Sequence, residues 1–167
     1  MSGDPLVRRS ARIILLNEND EIFLFEHLDA EPLDPLNPHI RRYWVTPGGG
    51  VNPCETWEAA ARRELWEETG LTDVELGQWV WSREKTVNLV GQPTLGQERY
   101  VVVRVTDPQF VFHNQEDHER LVYQQHRWWS IDSIQSSGEV FFPVGLANLL
   151  KPILNGQYPE QLIHLTV

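Results

Sequence analysis

Apolar and polar positions divide this chain into short runs of two different periods. Residues 11–16 (ARIILL) and 21–25 (EIFLF) are apolar runs of strand length, and residues 17–20 (NEND) between them have hairpin-turn chemistry. Residues 29–40 (DAEPLDPLNPHI) hold three prolines and read as an extended loop. Residues 43–46 (YWVT) are a further strand candidate. The period then lengthens. Residues 57–68 are good helix formers, Thr56 is placed to cap their start, and Gly70 suits the left-handed position that ends a helix. Ala61 and Leu65 sit four apart and face the core on that helix. Residues 74–81 and 100–105 read as strands, with the Gly- and Pro-containing residues 88–97 between them. Residues 110–113 suggest another strand, and residues 114–119 (NQEDHE) a polar loop or the start of a short helix. Residues 127–131 (RWWSI) read as a strand, and residues 143–154 as a second helix with Pro143 in its first turn. There is no repeat, low-complexity tract or linker. Strands interleaved with two helices predict a mixed sheet covered on both faces.

Composition narrows the class. A chain of 167 residues with 41% hydrophobic content can build one domain with a real core, and residues 1–9 are expected to be a flexible N-terminal segment. A formal charge of −10 argues against a broad nucleic-acid surface, which needs cations to displace counterions. It leaves room for a small anionic substrate, because a bound metal ion inverts the local field. One cysteine cannot form an internal disulfide, which suits a reducing compartment. The first ten residues, MSGDPLVRRS, lack the apolar stretch of a secretory signal, and no run reaches the roughly 20 apolar residues of a membrane span. A cytoplasmic protein without membrane partners is expected.

Acid is concentrated on the first helix. Glu64, Glu67 and Glu68 fall within an arc of roughly 100° at helical spacing. Like charges there repel, and a hard divalent cation would turn the repulsion into binding. An acidic face turned to solvent is the plain alternative.

The surrounding pattern removes most of that ambiguity. Gly49, Glu55, Arg63, Glu64, Leu65, Glu67, Glu68, Gly70 and Leu71 fit G-x5-E-x7-R-E-U-x-E-E-x-G-U, with U aliphatic, at every specified position. The segment resembles the signature of the Nudix hydrolases. The resemblance implies an α/β fold, a Nudix-type α/β/α sandwich in which the box forms loop, helix and loop. It implies a hydrolase that splits a pyrophosphate bond in a nucleoside diphosphate linked to another moiety X, by metal-activated water attack on phosphorus. Mg²⁺ is the expected cofactor, with Mn²⁺ able to substitute. Glu64, Glu67 and Glu68 are the implied ligands together with the Gly49 carbonyl, and Glu64 can also orient or deprotonate the water. Arg63 and Glu55 look structural. Many members carry glycine where this chain has Cys54. Two rival readings stay open: a housecleaning nucleoside triphosphate pyrophosphohydrolase, and a catalytically silent ligand-sensing domain.

Members often draw a further acid from outside the box. Glu116, Asp117 and Glu119 are the candidates, and Glu119 is preferred. Arg12, Arg42, Arg83 and Arg99 could hold the non-reacting phosphate, with Arg99 and Arg42 selected. Among the tryptophans, Trp44, Trp79, Trp81, Trp128 and Trp129 lie on expected strands, where packing outweighs stacking on a base. The six histidines have no metal-ligand spacing. A nucleophilic role for Cys54, of the kind isopentenyl diphosphate isomerase uses on this fold, is disfavoured because that cysteine precedes the box. Markers of ADP-ribose or dinucleoside polyphosphate specificity do not fit, since Val87, Asn88 and Leu89 occupy that stretch. A small nucleotide-type substrate is expected, and a homodimer is compatible with the chain.

Overall fold

The computed structural model describes residues 6–30, 32, 36–89, 91–112 and 123–166. In chain order its elements are β1 (Leu6–Leu16), β2 (Ile22–Leu28), β3 (Arg42–Val45), β4 (Gly48–Gly50), α1 (Trp57–Thr69), β5 (Trp79–Leu89), β6 (Gln92–Arg104), β7 (Tyr123–Trp129), α2 (Ile131–Ser136), β8 (Phe141–Phe142), α3 (Leu146–Leu154) and β9 (Ile163–Leu165). The described strands join in one sheet of order β8-β3-β2-β1-β6-β5-β9, with β4 paired to β1 and β7 to β2. Parallel pairs (β1 with β6, β3 with β8, β5 with β9) mix with antiparallel ones.

Alternation along β1 builds both layers of the core. Ala11, Ile13 and Leu15 point to one face, where they meet Phe23, Phe25, Val101, Val103 and the α1 residues Ala60, Ala61 and Leu65. Ile14 and Leu16 point to the other, where Trp44, Trp81, Trp129 and the helical residues Ile134, Leu146, Leu150 and Ile153 cover them. Each large aliphatic side chain fully buried this way contributes about 1.5–3 kcal/mol. The result is the α/β/α sandwich that the pattern predicts.

Several boundaries differ from the sequence reading. Residues 6–9 are not a flexible lead-in: they pair in register with Thr94–Gln97 on β6, extending β1. Much of the Gly- and Pro-containing stretch 88–97 lies in strands, because β5 and β6 pair there, through Asn88 and Leu89 on one strand and Gln92 to Gln97 on the other, as a long antiparallel hairpin. The strand expected over 74–81 begins only at Trp79. Residues 110–112 form no strand; Phe110 and Phe112 instead pack as an irregular segment beside Phe23 and Trp128. His113 and residues 114–119 lie outside the described residues. Ile131 ends no strand but opens α2, because the Ser130 side chain caps that helix by accepting from the Ser133 N–H. The last helix starts at Leu146 rather than near Pro143, since Gly145 at φ 76° is in the left-handed region and cannot be a helical residue.

Candidate active site

Local chemistry fixes α1. Thr56 Oγ1 accepts from the Ala59 N–H at 3.1 Å, and Gly70, at φ 75°, closes the helix by donating to the Trp66 carbonyl at 2.8 Å. Ala60, Ala61 and Leu65 anchor the helix to the sheet. That rotation brings Glu64 and Glu68 inward beside β4, where they are 6% and 0% exposed, while Glu67 is half-buried. A solvated acidic face does not have two of its three carboxylates buried.

The three glycines of β4 form a bare ledge over these acids. Gly48 donates its N–H to Glu68 Oε2 at 2.8 Å. A Cβ at Gly49 would lie 2.5 Å from Glu64 Cδ and Oε1, so only a hydrogen fits between that backbone and the carboxylate.

Arg63 ties the acids and the loop together. Its Nη1 donates to Glu64 Oε1 at 2.8 Å and to Glu67 Oε2 at 3.2 Å. Its Nε and Nη2 form a fork on Glu55, at 2.8 and 2.9 Å, and Nη2 also reaches the Gly50 carbonyl at 2.7 Å. Glu55 in turn accepts from the Asn52 N–H at 3.0 Å. The Arg63 hydrogen bonds hold the Glu55 carboxyl down at about 2, so it stays charged at neutral pH. These contacts link the box loop at Glu55 and Gly50 to the acids of α1 through one guanidinium.

The donor set is one of hard oxygens, which suits a hard divalent cation. Glu64, Glu67 and Glu68 would hold it, beside a Gly49 backbone with no side chain to obstruct the approach. Among the described residues no three acidic, thiol or imidazole groups form a ready cation cage. Arg63 instead bridges Glu64 and Glu67.

Other candidates are dispersed. Arg42 pairs with Glu26 at 2.8 Å with its side chain 54% exposed, and Arg99 lies over the Trp57 ring at 4.5 Å. The contacts of the described residues join neither to Glu64, Glu67 or Glu68. Trp44, Trp81 and Trp129 are core residues, 1–3% exposed. Glu116, Asp117 and Glu119 fall outside the described residues.

Sequence reasoning passed lightly over Arg12 and missed Glu98. Arg12 Nη1 donates to the Thr46 and Gly48 carbonyls, each at 3.4 Å, and its Nε faces Glu98 Oε1 at 3.4 Å. Glu98 also accepts from Arg83 Nη1 at 3.0 Å and from the Tyr100 hydroxyl at 2.9 Å. Burial raises the Glu98 carboxyl, but Arg12 and Arg83 outweigh it and hold the group below the usual range. The available signal was position: Arg12 directly precedes the apolar residues Ile13, Ile14, Leu15 and Leu16 of β1.

Cys54 has φ 68° and is exposed. That left-handed conformation costs a side-chain-bearing residue about 1–2 kcal/mol, which explains why glycine suits the position. Cys54→Gly is expected to keep turnover within about tenfold and to raise stability by up to about 1 kcal/mol. Steady-state kinetics and a melting curve check both. Loss of turnover with the fold intact would revive cysteine chemistry.

Comparison with known proteins agrees with this geometry. An RNA pyrophosphohydrolase of Wolbachia pipientis subsp. Culex pipiens (strain wPip) is 25% identical over 150 residues, covering 84% of this chain and 85% of that protein. RNA pyrophosphohydrolases of Pelagibacter ubique (strain HTCC1062) and Caulobacter vibrioides (strain NA1000 / CB15N) are 33% and 38% identical over 70 and 73 residues, or 42% and 43% of this chain. Those two matches span only 39% and 37% of the relatives' own lengths. In fold, the chain is similar to the MutT protein from Methanosarcina mazei Go1, with TM-score 0.61, 18% identity, and 93% and 98% of the two chains covered. It is also similar to a NUDIX hydrolase from Nitrosomonas europaea, with TM-score 0.58, 20% identity, and 93% and 92% covered. The family model for the NUDIX domain matches residues 6–145, from the first strand through the box to the threshold of the last helix, and the chain therefore belongs to the NUDIX domain family.

Proposed function

We propose that this protein hydrolyses a pyrophosphate bond in a nucleoside diphosphate linked to a moiety X, with Mg²⁺ as its cofactor and Mn²⁺ able to replace it. The observation that carries the reading is the burial of Glu64 and Glu68 against the side-chain-free backbone of β4. NUDIX hydrolases generally use a divalent metal. The ion held here would neutralise phosphate charge and acidify water. The protein's own residues do the rest. Glu64 helps to orient the attacking water. The Gly48 N–H fixes Glu68, and Arg63 keeps Glu64 and Glu67 in place. Phosphoryl-type transfer asks little covalent work of a protein, so positioning and charge dominate. A single cysteine in the chain suits the reducing cytoplasm.

A panel of nucleoside diphosphate sugars, dinucleoside polyphosphates and nucleoside triphosphates, assayed with Mg²⁺ and with Mn²⁺, tests this. The name of these relatives, RNA pyrophosphohydrolase, adds RNA to the panel. Release of phosphate, pyrophosphate or nucleoside monophosphate from one class, abolished by EDTA, is the expected outcome. No turnover on any member would favour a ligand-sensing domain.

For the acid beyond the box we keep Glu119. Glu119→Gln is expected to lower kcat more than it raises KM, because a base or late ligand acts mainly in the transition state. Wild-type kcat in that variant would leave Glu64 as the base.

A further inference from the structure

Four polar side chains join across three strands outside the box. The registers set Arg83 of β5 opposite Glu98 of β6, and Ser10 of β1 opposite Glu98 on its other side, with Arg12 two residues further along β1. Glu98 Oε2 accepts from Arg83 Nη1 at 3.0 Å and from the Tyr100 hydroxyl at 2.9 Å, and Oε1 faces Arg12 Nε at 3.4 Å. The side chains of Arg12, Glu98 and Arg83 are only 10–21% exposed. Such a network is a poor source of stability, because desolvating the charges offsets their attraction. It also leaves Arg83 Nε buried with no hydrogen-bond partner among the described residues. Apolar side chains of similar volume would pack this corner without that penalty. What charges do better than apolar packing is hold one another in a fixed direction.

Arg12 carries that direction to the box. Its Nη1 donates to the Thr46 and Gly48 carbonyls, each at 3.4 Å, and so spans the turn between β3 and β4. Both bonds are long, and one guanidinium serves the two carbonyls only while its own position is fixed. The Gly48 carbonyl shares a rigid peptide plane with the Gly49 N–H. At the preceding peptide the Gly48 N–H holds Glu68 at 2.8 Å, and the Gly49 backbone lies against Glu64 with room for no more than a hydrogen. The contacts therefore run from Glu98 through Arg12 and Gly48 to Glu68, with Glu64 seated on the next residue.

We propose that Glu98 and Arg12 are positioning residues: together they fix the Gly48–Gly49 backbone, and through it the placement of Glu64 and Glu68 for a divalent cation. This rests on the hydrolase reading above and adds to it two residues outside the box.

The test reads metal binding apart from turnover. Mn²⁺ is titrated without nucleotide, its free fraction followed by electron paramagnetic resonance, into the wild type, Glu98→Gln, Arg12→Gln and the double variant, with melting curves as the fold control. Glu64→Gln measures binding elsewhere on this acidic chain. Glu98→Gln and Arg12→Gln are each expected to weaken the Glu64-dependent Mn²⁺ binding by about tenfold and to lower kcat by a similar factor, with KM for the nucleotide little changed. Because the two residues act as one unit, the double variant loses about as much as either single one. Arg12→Lys covers the case in which the glutamine variants do not fold. It keeps the charge beside Glu98, yet a single ammonium does not span Glu98 and both carbonyls, so Mn²⁺ affinity should still fall. Equal Mn²⁺ affinity in the wild type and the folded variants overturns the proposal. So does a rise in KM alone, which would make Arg12 a direct contact of the substrate, and so does a double variant whose loss is the product of the single ones. A wild type that binds Mn²⁺ no better than Glu64→Gln removes the metal-dependent hydrolase reading itself, and this proposal with it.

Discussion

Glu64→Gln and Glu68→Gln are each expected to lower kcat by about 10²-fold or more while the protein stays folded. Glutamine keeps the shape of the side chain and an oxygen that accepts the Gly48 N–H, so the 2.8 Å contact to Glu68 can survive. What it removes is the negative charge that would hold a divalent cation. That charge bears mainly on the transition state, and several kcal/mol of barrier depend on it. Stability changes little because Arg63 retains its fork on Glu55 when Glu64 loses its charge. The check is steady-state kinetics at saturating Mg²⁺ beside a melting curve. Full wild-type turnover in excess EDTA, or near-normal kcat in both variants, would remove the carboxylates from the chemistry. Glu67→Gln should do less, since Glu67 is half-buried and meets Arg63 at the longer distance of 3.2 Å.

Gly48→Ala should damage the fold itself. Gly48 sits at φ 143°, a region open to glycine and strained for any other residue. Its Cβ would lie 2.1 Å from the Ala11 carbonyl oxygen and 2.9 Å from Arg12 Cα, and both are backbone atoms of the central strand β1. Relief therefore requires moving β4 off β1. The expected cost is about 3 kcal/mol or more, a drop in Tm of roughly 6–12 °C for a domain of this size. Displacing β4 also withdraws the Gly48 N–H from Glu68 and the Gly48 carbonyl from Arg12, so activity should fall with stability. Calorimetry and kinetics on the same preparation measure both. A variant with wild-type Tm would mean that this backbone tolerates a side chain.

The contrast between these residues explains how much was legible beforehand. Helical spacing alone places Glu64, Glu67 and Glu68 on one face, with Thr56 and Gly70 marking the ends, while their expected role as ligands comes from the box pattern around them. β1 is legible only as a short apolar run; its division into two layers appears in the structure, where successive residues face opposite sides. The glycine run suggested a close backbone approach, but not that Gly49 faces Glu64 or that Gly48 binds Glu68. Those contacts join positions 15 to 20 residues apart.

Where local signals competed with long-range pairing, the pairing won. Residues 88–97 carry Gly and Pro and stand between two expected strands, yet β5 and β6 pair there, and β6 has β1 on its other side from Thr94 onward. Residues 6–9 (LVRR) fall within the expected flexible N-terminal segment and are held in a strand by the same parallel register.

The sequence by itself determined the box helix, its caps, its acidic face and the apolar runs of the central strands, because these follow from helical periodicity and from the chemistry of near neighbours. Tertiary structure decided which cations gather. The sequence reading selects Arg99 and Arg42 from Arg12, Arg42, Arg83 and Arg99, without any signal of which lie together. The register of β1, β6 and β5 gathers Arg12 and Arg83 on Glu98 with Arg8 and Lys85 nearby, while Arg42 pairs with Glu26 and Arg99 lies over Trp57. Charge acts through space, and only the pairing of distant strands sets those distances.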